Sequence, residues 1–157
     1  MVCDNTFWIP HNKPLPHRQG IIVTERSPWA GFHVFSRNLH ANDLLTTTDL
    51  WLLFDVATNW GWVPDVTLYI HTPWECALKR VRGRGRPSEA NIKPQLLRQL
   101  EARHETFVKW GPCGEVIRLD CSRSKNEVLE KALLELQGVW QKDRADSHNP
   151  GSEFGPH

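Results

Sequence analysis

No lysine in this chain follows a glycine, no two cysteines form a CxxC pair, and no apolar run nears the length of a membrane span. Each absence excludes something. The four cysteines, Cys3, Cys76, Cys113 and Cys121, are too few and too scattered for a zinc finger or a disulfide scaffold. That points to a reducing compartment, taken as cytoplasmic, with the mitochondrion as the alternative. The longest apolar runs fall far short of the roughly 20 residues a spanning helix needs, so no membrane partner is expected. Residues 1–20 lack the apolar centre of a signal peptide. An excess of one charge is missing too: 19 basic residues face 18 acidic ones, for a net charge of +1. The molecule as a whole therefore carries no field that selects nucleic acid, and any electrostatic function must be local. Loops that cradle phosphates through backbone N–H groups pair a glycine with a following lysine, and none is present.

What is there looks globular. The 157 residues suit one domain, 39% are hydrophobic, and eight are tryptophan. Residues 1–19 hold three prolines and no periodicity, which predicts an irregular arm; residues 142–157 are polar with Gly and Pro and predict a disordered tail. Between them, residues 20–141 read as one domain. Three β-prone runs stand out: Gly20 to Thr24, Val66 to Ile70, and Glu115 to Leu119. Helical patterns separate them. Thr72-Pro73-Trp74-Glu75 predicts a helix with Thr72 as N-cap, running to about Arg82. Pro94 opens another, with Leu97, Leu100, His104 and Phe107 or Val108 on one stripe. Ser124 to Glu127 caps a third, with Val128, Leu129, Ala132, Leu133 and Leu136 facing inward. One or two more helices fill residues 28–62. Continuous apolar strands alternating with helices predict an α/β fold with a parallel sheet.

Two constellations carry chemistry. Glu25-Arg26-Ser27 follows the first predicted strand, where ligands of open α/β sheets bind. The carboxylate and guanidinium are suited to a metal ion and a phosphoryl group. On spacing alone the stronger reading is a strand-end ion pair, with Ser27 as N-cap and Pro28 at the first helical position. The second runs from Lys79 to Arg86, with arginines at 80, 82, 84 and 86 and glycines at 83 and 85. Arginine forks bind phosphate oxygens and the glycines loosen the backbone, as in a lid. A solvated basic loop or a nucleic-acid patch has the same composition. His33, His40, His71 and His104 lie apart and read as core or surface residues, and the tryptophans as packing residues.

The order of these pieces is specific where each alone is not. Glu25-Arg26-Ser27 is followed by Val34-Phe35 and Asn38-Leu39. Then come Asp65 to Cys76, the arginines 80 to 86, Glu89, Ile92 and His104-Glu105. Over residues 20–140 this order resembles the deoxynucleoside kinases of the deoxycytidine, deoxyguanosine and mitochondrial thymidine kinase group. The resemblance implies a five-stranded parallel sheet flanked by helices, a P-loop kinase fold of which about three strands are present here. It implies transfer of the γ-phosphate of ATP, with Mg2+, to the 5′-hydroxyl of a deoxynucleoside, and a homodimer formed through helices. By that likeness Glu25 helps hold magnesium, and Arg26 orients the catalytic carboxylate and phosphates. Arg80, Arg84 and Arg86 are lid residues on the ATP phosphates, with the lid at about 80–91. Glu89 bonds the sugar 3′-hydroxyl, and the segment after Asp120 lies near adenine.

Some positions depart from the family. Its phosphate-binding loop, general-base glutamate and most base contacts precede the Glu-Arg-Ser motif, and nothing among residues 1–24 resembles them. Gly31 stands where the deoxycytidine and deoxyguanosine enzymes carry an Asp facing the base, which favours a pyrimidine substrate. Phe32 replaces a usual Arg, and Ser88 an acidic lid residue. The expectation is a partial or inactive kinase with no turnover as it stands. The alternative is a non-catalytic remnant acting through dimerisation.

Overall fold

A computed structural model of the chain describes residues 22–147, with side chains described through residue 141. The expected arm over residues 1–19 and the tail from residue 148 lie outside the described residues. Two compact units result: residues 22–67 with Pro73–Val116, and Leu68–Thr72 with residues 117–147.

The first unit opens on a helical stretch: α1 (Pro28–Ala30), a π-helical turn (Gly31–Ser36) and α2 (Arg37–Ala41). It begins where the sequence says it should, with Ser27 as cap and Pro28 at N1. The long helix α3 (Thr47–Trp60) starts in a reciprocal capping box. The Thr46 hydroxyl accepts from the Asp49 N–H at 3.2 Å, and the Asp49 carboxylate accepts from the Thr46 N–H at 2.9 Å. It stops at Gly61, where extended backbone ends the helix. A Cβ there would collide with the Ala57 carbonyl and the Trp29 indole. Helices α4 (Trp74–Arg84) and α5 (Pro94–Trp110) complete the unit. Its core is Val34, Phe107 and Cys113, with Trp29, Phe35, Leu100, Val108 and Val116 packed around them. The Cys113 thiol points 3.3 Å from the Gly111 carbonyl, and burial pushes its pKa up. It is a small apolar filler, not a nucleophile.

Strands β1 (Val66–His71) and β2 (Glu115–Asp120) pair with each other. The Glu115 N–H reaches the Asp65 carbonyl and the Cys121 N–H the His71 carbonyl, each at 2.9 Å. Both partners advance in the same sense, so the pairing is parallel as expected. The second unit buries Leu119 and carries α6 (Lys125–Ser147). The predicted cap of α6 forms: Glu127 N–H to the Ser124 hydroxyl at 3.3 Å, and Ser124 N–H to the Glu127 carboxylate at 2.9 Å.

Four expectations need correction. The predicted first strand is not one over Ile22 to Thr24, which pairs with nothing in the two-stranded sheet. A β-prone run needs a neighbour to supply its hydrogen bonds. Two strands, rather than three, are therefore present among the described residues. Thr72 does not cap α4; Pro73 holds that position without a side-chain cap bond. Helix α6 continues to Ser147, past the expected boundary at Gln141, and it leaves Leu129 and Leu133 exposed. Of the tryptophans read as packing residues, Trp51 is 66% exposed and Trp60 is 49% exposed.

Candidate functional site

Arg26 is the conformational outlier of its segment. Its φ of 71° is left-handed, a region that costs a side-chain-bearing residue roughly 1–2 kcal/mol. The kink turns the guanidinium onto the face of Phe35, 4.4 Å from the ring centroid. Its Nη2 lies 3.8 Å from a Glu25 carboxylate oxygen. With the Glu25 side chain 89% exposed, that ion pair contributes little stability. Ser27, directly after, is buried, and its hydroxyl accepts from the Ala30 N–H at 3.2 Å. The capping reading of the motif is met by Ser27, and Glu25 and Arg26 are left facing outward.

The helical stretch beyond it is widened. The Arg37 N–H bonds the carbonyls of Phe32 and Val34, and the Ser36 hydroxyl donates to the Gly31 carbonyl at 3.4 Å. Such π turns gather at functional sites. Gly31 lies at its start with helical φ, and a Cβ there would meet nothing within 4 Å. The missing side chain therefore leaves open space, not relief from a clash. His33 is partly buried, its ring 5.2–5.9 Å from those of Phe32, Phe107 and Trp29. Burial, with some help from the Arg37 charge, holds its pKa below the ordinary value. Asn38 is buried and accepts from Arg103 Nε at 3.0 Å, which ties α2 to α5.

The segment expected to be a lid begins at the end of α4. Helix continues through Gly83 to Arg84, beyond the expected end at Arg82, and closes on Gly85, whose φ of 62° is left-handed. A 3₁₀ turn over Pro87–Glu89 follows. This turn brings Glu89 back to the arginines. Arg84 Nη2 stands 3.0 Å from Glu89 Oε2, and Arg86 Nη1 stands 3.5 Å from Oε1. The Arg84 contact is close but not aligned as a hydrogen bond, so Oε2 is a buried acceptor without one. Arg80 lies one turn before Arg84 on the same face of α4. The structure thus gathers Arg84, Arg86 and Glu89, and separately Glu25 and Arg26.

Two contacts that hold α4 carried no sequence signal. The Trp74 N–H at the start of α4 donates to the Glu101 carboxylate at 3.3 Å, which replaces the expected Thr72 cap. The Arg98 guanidinium lies 4.0 Å over the Trp74 ring. Both partners sit on α5, more than twenty residues away, where no local pattern links them. In the second unit, Asp120 accepts from the Ser122 N–H and hydroxyl, each at 2.8 Å. These bonds, backbone first, hold its carboxyl below the usual range.

Among the described residues no three His, Cys, Asp or Glu converge as a metal cluster. Magnesium bound mainly through substrate phosphates and water needs only one or two carboxylates. Glu25, outward-facing and only loosely paired, meets that lesser requirement. Among the described residues no helix is long and apolar enough to cross a membrane.

Comparison with known proteins places the chain. It is 28% identical over 119 residues to a thymidine kinase of Ictalurid herpesvirus 1 (strain Auburn), covering 71% of this chain and 49% of that protein. The chain spans about half the length of the curated relatives it matches. Among solved structures it is similar to deoxyadenosine kinase from M. mycoides with bound dCTP. That likeness has a TM-score of 0.58 at 18% identity and covers 67% of this chain and 58% of the other. The same kinase with bound dATP matches at a TM-score of 0.54 and 20% identity, over 66% and 55%. These structural likenesses speak for the fold. The family model for deoxynucleoside kinase matches residues 5–137, most of the chain, and on that match the chain belongs to the deoxynucleoside kinase family.

Proposed function

We propose that this chain carries the lid and the metal-side half of a kinase that moves the γ-phosphate of ATP to the 5′-hydroxyl of a deoxynucleoside, a pyrimidine for preference. The observation that supports it best is the convergence of Arg84 and Arg86 on Glu89. Phosphoryl transfer is mostly positioning and charge stabilisation, and this cluster supplies both signs of charge around one turn. In this reading Arg80, Arg84 and Arg86 bind the ATP phosphates, and the Glu89 carboxylate accepts the sugar 3′-hydroxyl. Arg26 leaves the Phe35 face to orient phosphate, and Glu25 holds magnesium. Magnesium, when bound, neutralises charge on the transferring phosphates. The open space at Gly31 accommodates a base without an Asp to select it.

Nothing in the 157 residues supplies the lysine of a phosphate-cradling loop, so turnover by this chain alone is expected to be absent or very slow. A second reading, a non-catalytic partner that acts by dimerising, draws on the exposed apolar residues of α3, Trp51, Leu52 and Val56. Radiolabelled ATP, magnesium, and thymidine or deoxycytidine, incubated with the purified chain, test the first reading alongside calorimetric titration of each ligand. Binding of nucleoside and ATP without product supports the kinase half. Binding of neither removes it in favour of the second reading.

A further inference from the structure

We infer that Glu89 is a latch: its ion pairs with Arg84 and Arg86 hold the lid's phosphate-binding and sugar-binding groups against each other, so that polyphosphate and nucleoside bind cooperatively. The inference rests on the lid roles proposed above and adds a coupling between them. Arg84 Nη2 is 3.0 Å and Arg86 Nη1 is 3.5 Å from opposite oxygens of the same carboxylate. The carboxylate is only 19% exposed, whereas the two arginines are more than half exposed. The arginines can swing into solvent toward an anion. The carboxylate cannot readily follow, and without them it remains a half-buried charge lacking a partner.

The consequence is thermodynamic. A polyphosphate that takes the arginines must break both ion pairs. A nucleoside hydroxyl that takes Glu89 must break the same two pairs. When both bind, the pairs are broken once rather than twice, and each ligand favours the other by the same factor. Glu89 Oε2 is buried and has no hydrogen bond despite its short contact with Arg84, so a hydroxyl can bond it only once the arginines have moved aside. Partly exposed pairs of this kind set the coupling at about threefold to tenfold. The backbone keeps the carboxylate in place through the change: the Glu89 N–H bonds the Arg86 carbonyl at 2.9 Å, and the Ile92 N–H bonds the Glu89 carbonyl at 3.1 Å.

The test is calorimetric titration of the full chain with inorganic tripolyphosphate, for the native protein and for Glu89→Gln, with circular dichroism to confirm that the variant folds. The latch predicts that Glu89→Gln binds tripolyphosphate about threefold to tenfold more tightly, because its arginines start unpaired. Arg84→Gln should bind it more weakly. Equal or weaker binding by Glu89→Gln overturns the latch, and so does an absence of tripolyphosphate binding to the native chain. A second measurement needs no variant: thymidine affinity with and without saturating tripolyphosphate. A gain of the same size supports the coupling, and two independent affinities refute it. If thymidine does not bind at all, the substrate reading fails, while the tripolyphosphate comparison still decides the fate of the ion pairs.

Discussion

Replacing Arg26 with glycine should leave the protein more stable than replacing it with alanine, the reverse of the usual order. Both substitutions remove the cation–π contact with Phe35, worth about 0.5–1 kcal/mol at an exposed site. Alanine retains the left-handed φ of 71° and its cost of about 1–2 kcal/mol. Glycine sheds that cost but gives back about 0.5–1 kcal/mol through the greater freedom of the unfolded chain. The difference favours glycine by about 0.5–1 kcal/mol, roughly 2 °C in Tm for a chain of this size. Urea unfolding followed by tryptophan fluorescence measures it, since the chain carries eight indoles. Equal m-values would show that the comparison is one of stability alone. If alanine proves the more stable by its ordinary margin, the left-handed geometry is wrong. Backbone strain then has no part in aiming Arg26 at Phe35. Phosphate binding separates the two roles, because both variants lack the guanidinium and should lose it equally.

Four further outcomes follow from the geometry at three residues. Gly114→Ala should cost at least about 2 kcal/mol, since φ is 61° and a Cβ would strike the Pro64 and Asp65 carbonyls; urea unfolding with a loss under about 0.5 kcal/mol would contradict this close approach. Gly31→Ala, by contrast, enters open space on helical backbone and should gain about 0.5–1 kcal/mol. Gly31→Asp should shift the ratio of thymidine to deoxycytidine binding toward deoxycytidine, and an unchanged ratio in competitive titration would dissociate Gly31 from the base. Partial burial, with some help from Arg37, holds the His33 pKa below its ordinary value, so the unfolded chain binds its proton more readily than the folded one. Stability should therefore fall as pH drops below the ordinary imidazole value of 6.5 and go on falling until the folded pKa is passed. His33→Phe should flatten that slope in denaturation curves measured from pH 7 to 5, and an identical slope would place the proton elsewhere.

The parts of this fold that were legible in the sequence are those governed by neighbours along the chain. Ser27 and Pro28 announce a helix start because a capping hydroxyl and a fixed φ act within three residues. The same holds for Ser124 with Glu127, and for Pro94. The illegible parts depend on a distant partner. Ile22 to Thr24 has the composition of a strand, but composition supplies no hydrogen bonds, and neither strand of the sheet pairs with it. Thr72 had the right spacing for a cap, yet the α4 N–H found Glu101 on α5. A carboxylate brings a full charge to the positive end of the helix, which a hydroxyl does not. The candidate site divides the same way. Arg84, Arg86 and Glu89 were identifiable as residues, since alternating arginines around two glycines mark a mobile charged turn. Their mutual pairing was not, because it required Gly85 to adopt a left-handed φ and the 3₁₀ turn to reverse the chain. That reversal changes what the lid is. In sequence, the arginines and the glutamate look like separate tools for separate ligands. Folded together, they pair with each other, and in the latch proposed above the binding of one ligand alters the affinity for the other.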